Sequence, residues 1–416
     1  MRHDPISALR IPDFRKFVAA RFFLTFSLQI QSVLVGWQVY ELTGNPLSLG
    51  LIGLSEALPA LVSSLYAGYL ADRVERKKIL MVCGALLVVC SMLLYVVSMN
   101  AADSTSSATL QYIYIIIFIS GIARGFFGPA LFSFMPQLIE DKSLYTNAVT
   151  WNSTIWQVSS TVGPAIGGLM IAPLGISHSF LVDMCLCILS LSIFTTIPGR
   201  KLPQDTHSSN NFITNFTEGA RFLKSNPALL GAMSLDMFAV LFGGATALLP
   251  AVAKDILHVG AFEFGLLRSA TSMGSIIIAI YLAYRPIRAN AGIIMLRAVA
   301  CFALCIVAFG FSTHLYLSFI LLLLSGVFDG LSVVIRATML QTLTPDYMKG
   351  RVSAINNIFL GSSNEIGAFW SGLTASWFGT RAAIIFGGII SLGVVGIVTY
   401  TNKKLRESSL TVKQSK

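Results

Sequence analysis

The chain alternates long apolar runs with short polar interruptions. The runs stand near residues 17–40, 47–70, 79–99, 112–136, 148–172, 178–198, 228–252, 263–284, 292–312, 315–339, 353–375 and 382–401. Each holds about 20 residues or slightly more, and at about 1.5 Å per residue such a helix crosses a hydrocarbon core of about 30 Å. The pattern predicts an all-α membrane protein with 12 transmembrane helices. The longest polar interruption, roughly 199–227, begins at Pro198-Gly199-Arg200-Lys201 and contains Ser208-Ser209-Asn210-Asn211, the composition of a linker. Its second part places Phe212, Phe216, Ala220 and Leu223 on one helical face, which predicts a short amphipathic helix lying on the membrane surface. Six runs fall on either side. The expected domains are therefore an N-terminal six-helix bundle over 1–198, a cytoplasmic linker over 199–227, and a C-terminal six-helix bundle with its tail over 228–416.

Composition agrees. Of 416 residues, 55% are apolar and only 12% charged, with a mean hydropathy of +0.74, more apolar surface than a soluble protein of this size hides. The net charge of +10 raises the question of nucleic acid, but its distribution answers it. With both ends on one side, the tails and even-numbered connections collect Arg15, Lys16, the Arg73–Lys78 cluster, Lys142, Arg200, Lys201, Lys349, Arg351, Lys403 and Lys404, while the opposite side has only Lys254 and Arg381. That asymmetry is the positive-inside rule and places both termini in the cytoplasm. Residues 1–16 are polar and the first apolar run is span-length, so span 1 reads as its own insertion signal. The six cysteines all fall inside spans; without histidine nearby, small apolar packing outweighs metal binding, and no metal or cofactor is expected. No nucleophile elbow or phosphate loop occurs, which argues against a classical enzyme and against ATP-driven transport.

The two halves echo each other. Ser120-Gly121-Ile122-Ala123-Arg124-Gly125 aligns with Ser325-Gly326-Val327-Phe328-Asp329-Gly330, and Gly50-Leu51 with Gly265-Leu266. Charges inside spans are costly enough to mark functional candidates. Arg124 lies in span 4. Span 10 carries Asp329 and, seven residues later on the same face, Arg336. The acids are Glu56 in span 2, Asp183 in span 6, Asp236 in span 7 and Glu365 in span 11. A carboxylate whose proton affinity changes between two conformations couples transport to a proton gradient, with Arg124 and Arg336 as tuning cations. Asp236 and Glu56 rank first because each occurs alone in its span, whereas Asp329 has Arg336 near it. The competing reading for every acid is a fixed interhelical ion pair or hydrogen bond. Gln29, Gln31, Trp37 and Gln38 of span 1, with Asn152 and Trp156 of span 5, are candidates for lining a central cavity, against the plainer reading of packing or interface anchors.

Between spans 2 and 3 stands Gly68-Tyr69-Leu70-Ala71-Asp72-Arg73-Val74-Glu75-Arg76-Lys77-Lys78, one acid followed closely by a cation cluster. Its Gly68, Asp72, Arg73, Arg76 and Lys77 resemble the loop signature of the major facilitator superfamily, with Glu75 where many members carry glycine. In span 5, Ser159, Gly163, Pro164, Gly167 and Gly168 resemble that superfamily's antiporter motif, with serine for its first glycine. Small residues four apart let helices approach closely, and Pro164 frees a carbonyl, so a hinge and ordinary close packing both fit. Asp13-Phe14-Arg15, Glu218-Gly219-Ala220-Arg221-Phe222-Leu223 and Gly350-Arg351-Val352-Ser353 are similar to the bacterial branch that includes the enterobactin exporter and related efflux proteins.

The resemblance implies two six-helix bundles related by a pseudo-twofold axis, rocking about a midplane cavity. It also implies that Asp72 latches the cytoplasmic gate against the start of span 11 near Arg351, although the loop's charges serve topology alone in the plainer reading. The implied function is proton-coupled export of a small amphipathic molecule, siderophore or drug-like, by a monomer in the bacterial inner membrane. Its partners are the cargo, protons and the lipid bilayer, with no nucleic acid. The alternative is a lipid or lysophospholipid flippase without proton coupling.

Overall fold

A computed structural model describes residues 6–101, 106–199, 212–285, 287, 290–345 and 348–408. Among these residues there is no strand. The helices are α1 (Pro12–Thr43), α2 (Pro46–Arg73), α3 (Arg76–Met99), α4 (Ser106–Phe134), α5 (Tyr145–Thr195) and α6 (Phe212–Ser225). They continue as α7 (Pro227–Gly243), α8 (Ala261–Tyr284), α9 (Ala291–Phe311), α10 (Leu315–Leu343), α11 (Lys349–Phe378) and α12 (Thr380–Thr401). Among the described residues, 10 helical stretches are long and apolar enough to cross a membrane. One of them is the whole of α5 as far as Thr195, which contains two of the apolar runs. Gly175 separates these runs at φ 74° and ψ 168°, a left-handed conformation that side chains disfavour, so the chain turns there between two helical segments.

Two compact units emerge. One comprises Met1–Gly44, Leu51–Asp205 and Val259–Ser269; the other comprises Asn45–Gly50, Thr206–His258 and Ala270–Lys416. The first has an aromatic core in which Phe17 meets Phe134 and Phe194 at ring separations of 6.2 and 6.3 Å, with Phe127 on the far side of Phe194 at 6.0 Å. The second packs Leu229 and Met233 of α7 against Met295 of α9 and Ile335 and Met339 of α10.

The repeat read from the letters has a counterpart in helix crossings. Gly121 and Gly125 press α4 onto α2: a Cβ on Gly121 would stand 2.8 Å from the Pro59 ring, and one on Gly125 3.1 Å from Ala60 Cα. In the other unit Gly326 and Gly330 press α10 onto α8, and there the would-be Cβ atoms lie 2.7 Å from Thr271 Cα and 3.0 Å from Ser275 Cα. The alignment of Ser120–Gly125 with Ser325–Gly330 thus marks the same backbone-to-backbone crossing, the kind that small residues permit in apolar surroundings. Gly326→Val is expected to force α8 and α10 apart and to cost about 1–3 kcal/mol, the range of an overpacked core. A thermal-melt series in detergent checks this; an unchanged melt would mean the crossing tolerates a side chain.

The linker helix α6 turns part of its surface toward the rest of the second unit. In α6, Leu223 is buried and Ala220 exposed, so the inward face runs through Gly219, Phe222 and Leu223. It packs on α11, where a Cβ on Gly219 would come within 2.8 Å of Ile355 Cδ1. A neighbouring helix thus receives its Gly219–Leu223 face. The side chains of Phe212 and Phe216 lie outside the described residues.

Candidate functional site

In the first unit, the close α2–α4 crossing brings Glu56 onto Arg124, and the two form an ion pair. Arg124 also donates from Nη2 to Gln31 Oε1 at 3.0 Å. Gln31 in turn donates from Nε2 to Asp183 Oδ2 at 3.2 Å and to Ser91 Oγ at 3.1 Å. Asp183 accepts a second bond on Oδ1 from the Ser27 hydroxyl. Four sequence candidates, Glu56, Arg124, Gln31 and Asp183, are thereby strung into one polar chain across α2, α4, α1 and α5. Asp183, Ser27 and Ser91 are each at 0% exposure, whereas the Glu56 and Arg124 side chains retain 24% and 22%. A buried carboxylate supplied with neutral donors is thus joined through one amide to a partly exposed ion pair.

The second unit holds a drier pair. Arg336 of α10 bonds Asp236 of α7, their side chains 5% and 3% exposed, and Ser332 donates to the same carboxylate at 3.4 Å. Asp329, the residue facing Arg336 along the sequence, is half-buried on the same helix. Both first-ranked acids therefore own an arginine from a neighbouring helix, so isolation within a span no longer distinguishes them. Glu365 is half-buried on α11.

The small-residue face of α5 packs mainly on α1. Gly163 meets Gln29, whose Cβ would be 2.7 Å from an added methyl, and Gly167 meets Ile30 and Val33 at 3.3 Å. Gly168 faces Gly265 of α8, 2.8 Å from its Cα. Ser159 is buried with no hydrogen-bond partner on its hydroxyl among the described residues. Of the cavity candidates, Gln38 is buried and donates to Ser98 at 3.2 Å, Trp37 stacks on Phe264 at 5.6 Å, and Trp156 is exposed. Asn152 accepts from Arg21.

The basic loop is built around helix ends. Lys77 donates to the Thr195 carbonyl at 3.0 Å and Arg76 to the Ser133 carbonyl at 2.9 Å, while Lys16 of α1 reaches the Thr196 carbonyl at 3.4 Å. These are the orphan carbonyls at helix C-termini, where the dipole attracts cations. Arg73 is exposed; Gly68 and Asp72 belong to α2 by backbone, and their surroundings lie outside the described residues. Arg351, expected near Asp72, pairs with Glu218 of α6. Ser27, Ser91, Arg21 and Arg268 are site residues that the sequence pattern does not single out. The rule that flags Arg124 applies equally to Arg21 and to Arg268, which donates to Ser32 at 2.9 Å.

Span-length helices with charged networks buried between them define a multi-pass membrane protein. The chain belongs to the family described as transmembrane secretion effectors, within the major facilitator superfamily, and is matched over residues 3–415. Among curated relatives, the enterobactin exporter of Shigella boydii serotype 4 (strain Sb227) is 28% identical over 397 residues, covering 92% of this chain and 91% of the relative. The enterobactin exporter of Escherichia coli O81 (strain ED1a) is 27% identical over 394 residues with the same coverage, 92% and 91%. Among solved structures, the nucleoside transporter NupG aligns with a TM-score of 0.68 at 13% identity, covering 94% of this chain and 99% of that one. A D-xylose–proton symporter aligns with a TM-score of 0.71 at 12% identity, covering 95% and 99%. These structural likenesses establish the fold. The protein is a multi-pass membrane transporter for small molecules.

Proposed function

We propose that this protein is a proton-coupled exporter of a small amphipathic molecule, siderophore-like or drug-like, in the bacterial cytoplasmic membrane. It works as a monomer of twelve spans with both termini cytoplasmic, alternating between two states. The relatives named as enterobactin exporters support the direction and a siderophore-like cargo. The observation that carries proton coupling is the polar chain from Glu56 through Arg124 and Gln31 to Asp183. Among the described residues Asp183 is fully buried and touches hydroxyls and an amide but no cation, so a proton neutralises it where an arginine neutralises Glu56 and Asp236. We therefore assign the coupling proton to Asp183 ahead of Asp236, Glu56, Asp329 and Glu365.

The test is transport in proteoliposomes with an imposed pH gradient, scanning catecholate siderophores, cationic dyes and lysophospholipids. Cargo movement that collapses with a protonophore, and in Asp183→Asn, is the expected result. Gradient-driven movement that survives Asp183→Asn but is lost in Asp236→Asn or Glu56→Gln would move the assignment to those acids. Movement of lysophospholipid that ignores the gradient would overturn proton coupling and leave a flippase.

A further inference from the structure

Gln31 sits where the two charge systems of the first unit meet. It is 1% exposed, on α1, with one side-chain atom turned to each system. Its amide orientation follows from chemistry. A guanidinium only donates, so Oε1 must face Arg124 at 3.0 Å, which turns the NH₂ group toward Asp183 at 3.2 Å and Ser91 at 3.1 Å. The groups around Asp183 are Ser27 and Gln31 from α1, Ser91 from α3, and Cys187 one turn along its own helix. Beyond Gln31 stands Arg124 on α4, and beyond Arg124 stands Glu56 on α2. The NH₂ arrangement suits an ionised Asp183, since a carboxylate only accepts.

We propose that Gln31 is a positioning residue that transmits the protonation state of Asp183 to the Arg124–Glu56 ion pair by a half-turn of its amide. This rests on the assignment of the coupling proton to Asp183. A proton arriving on Oδ2 turns that acceptor into a donor facing an N–H donor of Gln31. The terminal amide torsion is broad and roughly two-fold, so a half-turn is the local way out. After it, Oε1 accepts from Oδ2–H and from the Ser91 hydroxyl, which rotates to donate. The NH₂ group then faces Arg124, a donor against a donor. Arg124 loses an acceptor and keeps Glu56. Loss of the proton reverses each step. A change of one proton in a dry site thereby alters the hold on an ion pair whose members stand 68 residues apart in sequence, without moving a helix. Buried polar networks carry such messages because a partner lost at one member is costly and is felt at the next.

The experiment uses the full-length protein in lipid and needs no cargo: infrared difference spectra across a pH titration. The carboxylic C=O band is assigned by its loss in Asp183→Asn, and the guanidinium band by its loss in Arg124→Lys. In the unmodified protein both bands are expected to change with one midpoint. In Gln31→Leu the carboxylic band is expected to persist, which also reports an intact fold, while the guanidinium band stops following it. Gln31→Glu keeps an acceptor for Arg124 but offers no N–H to Asp183, and is expected to break the link equally should the leucine variant not fold. A guanidinium band that still follows the carboxyl in both variants would overturn the relay, as would a proton carried on Oδ1, where Ser27 turns away and Gln31 stays still. Absence of any band lost in Asp183→Asn would instead overturn the proton assignment itself.

Discussion

Arg336→Met is expected to destabilise the protein by about 3–5 kcal/mol, the cost of stranding one member of a buried ion pair. Asp236 and Arg336 are 3% and 5% exposed, so water cannot replace the missing partner. Among the described residues the remaining carboxylate would keep only Ser332, a 3.4 Å bond too weak to offset desolvation. The double variant Asp236→Asn/Arg336→Met removes both charges and is expected to recover much of the loss, since apolar or neutral replacements of similar volume are often tolerated. Heat-induced loss of monodisperse elution in mild detergent reads both. A single variant that melts with the parent would show that the pair does not hold α7 against α10.

Arg124→Met should behave oppositely, costing little stability and weakening transport. The Arg124 and Glu56 side chains keep 22% and 24% exposure, so the stranded Glu56 is far less enclosed than Asp236 and the folding cost falls to about 1 kcal/mol. What disappears is the cation that ends the chain of contacts leading to Asp183. A coupling of about 1–3 kcal/mol corresponds to roughly 5–150-fold, and gradient-driven export is expected to fall within that range. Export in proteoliposomes, compared with the melt of the same preparation, separates the two effects. A large loss of stability with coupling intact would reverse the roles given to the two pairs.

The spans are legible in the sequence because a run of about 20 consecutive apolar residues matches the hydrocarbon thickness and little else in a folded chain. Even the turn within α5 is visible as the gap between the runs 148–172 and 178–198, where Gly175 sits. Partner choice between helices is not. Arg336 and Asp329 share a helical face seven residues apart, and proximity in sequence favours them. The structure gives Arg336 to Asp236, 100 residues away, because interhelical packing sets which faces meet. Likewise Gln31 reads as a cavity liner in the sequence; only the positions of α3, α4 and α5 around α1 reveal it as a junction. Ser27 and Ser91 carry no signal in sequence at all, since a serine in a span is as often a packing residue.

The basic residues near the ends of spans carry a further consequence. Lys16, Lys77 and Arg76 each rest on a terminal helix carbonyl, so they are clasps with fixed addresses as well as counters in a tally. The rule that orients a membrane chain reads only the sum of positive charges on one face. Fastening a helix end reads their position. Shifting Lys77 by one residue would leave the tally intact and the insertion unaltered, yet unlatch the end of α5 from α3. A basic residue in this loop therefore acts through its position as well as its sign.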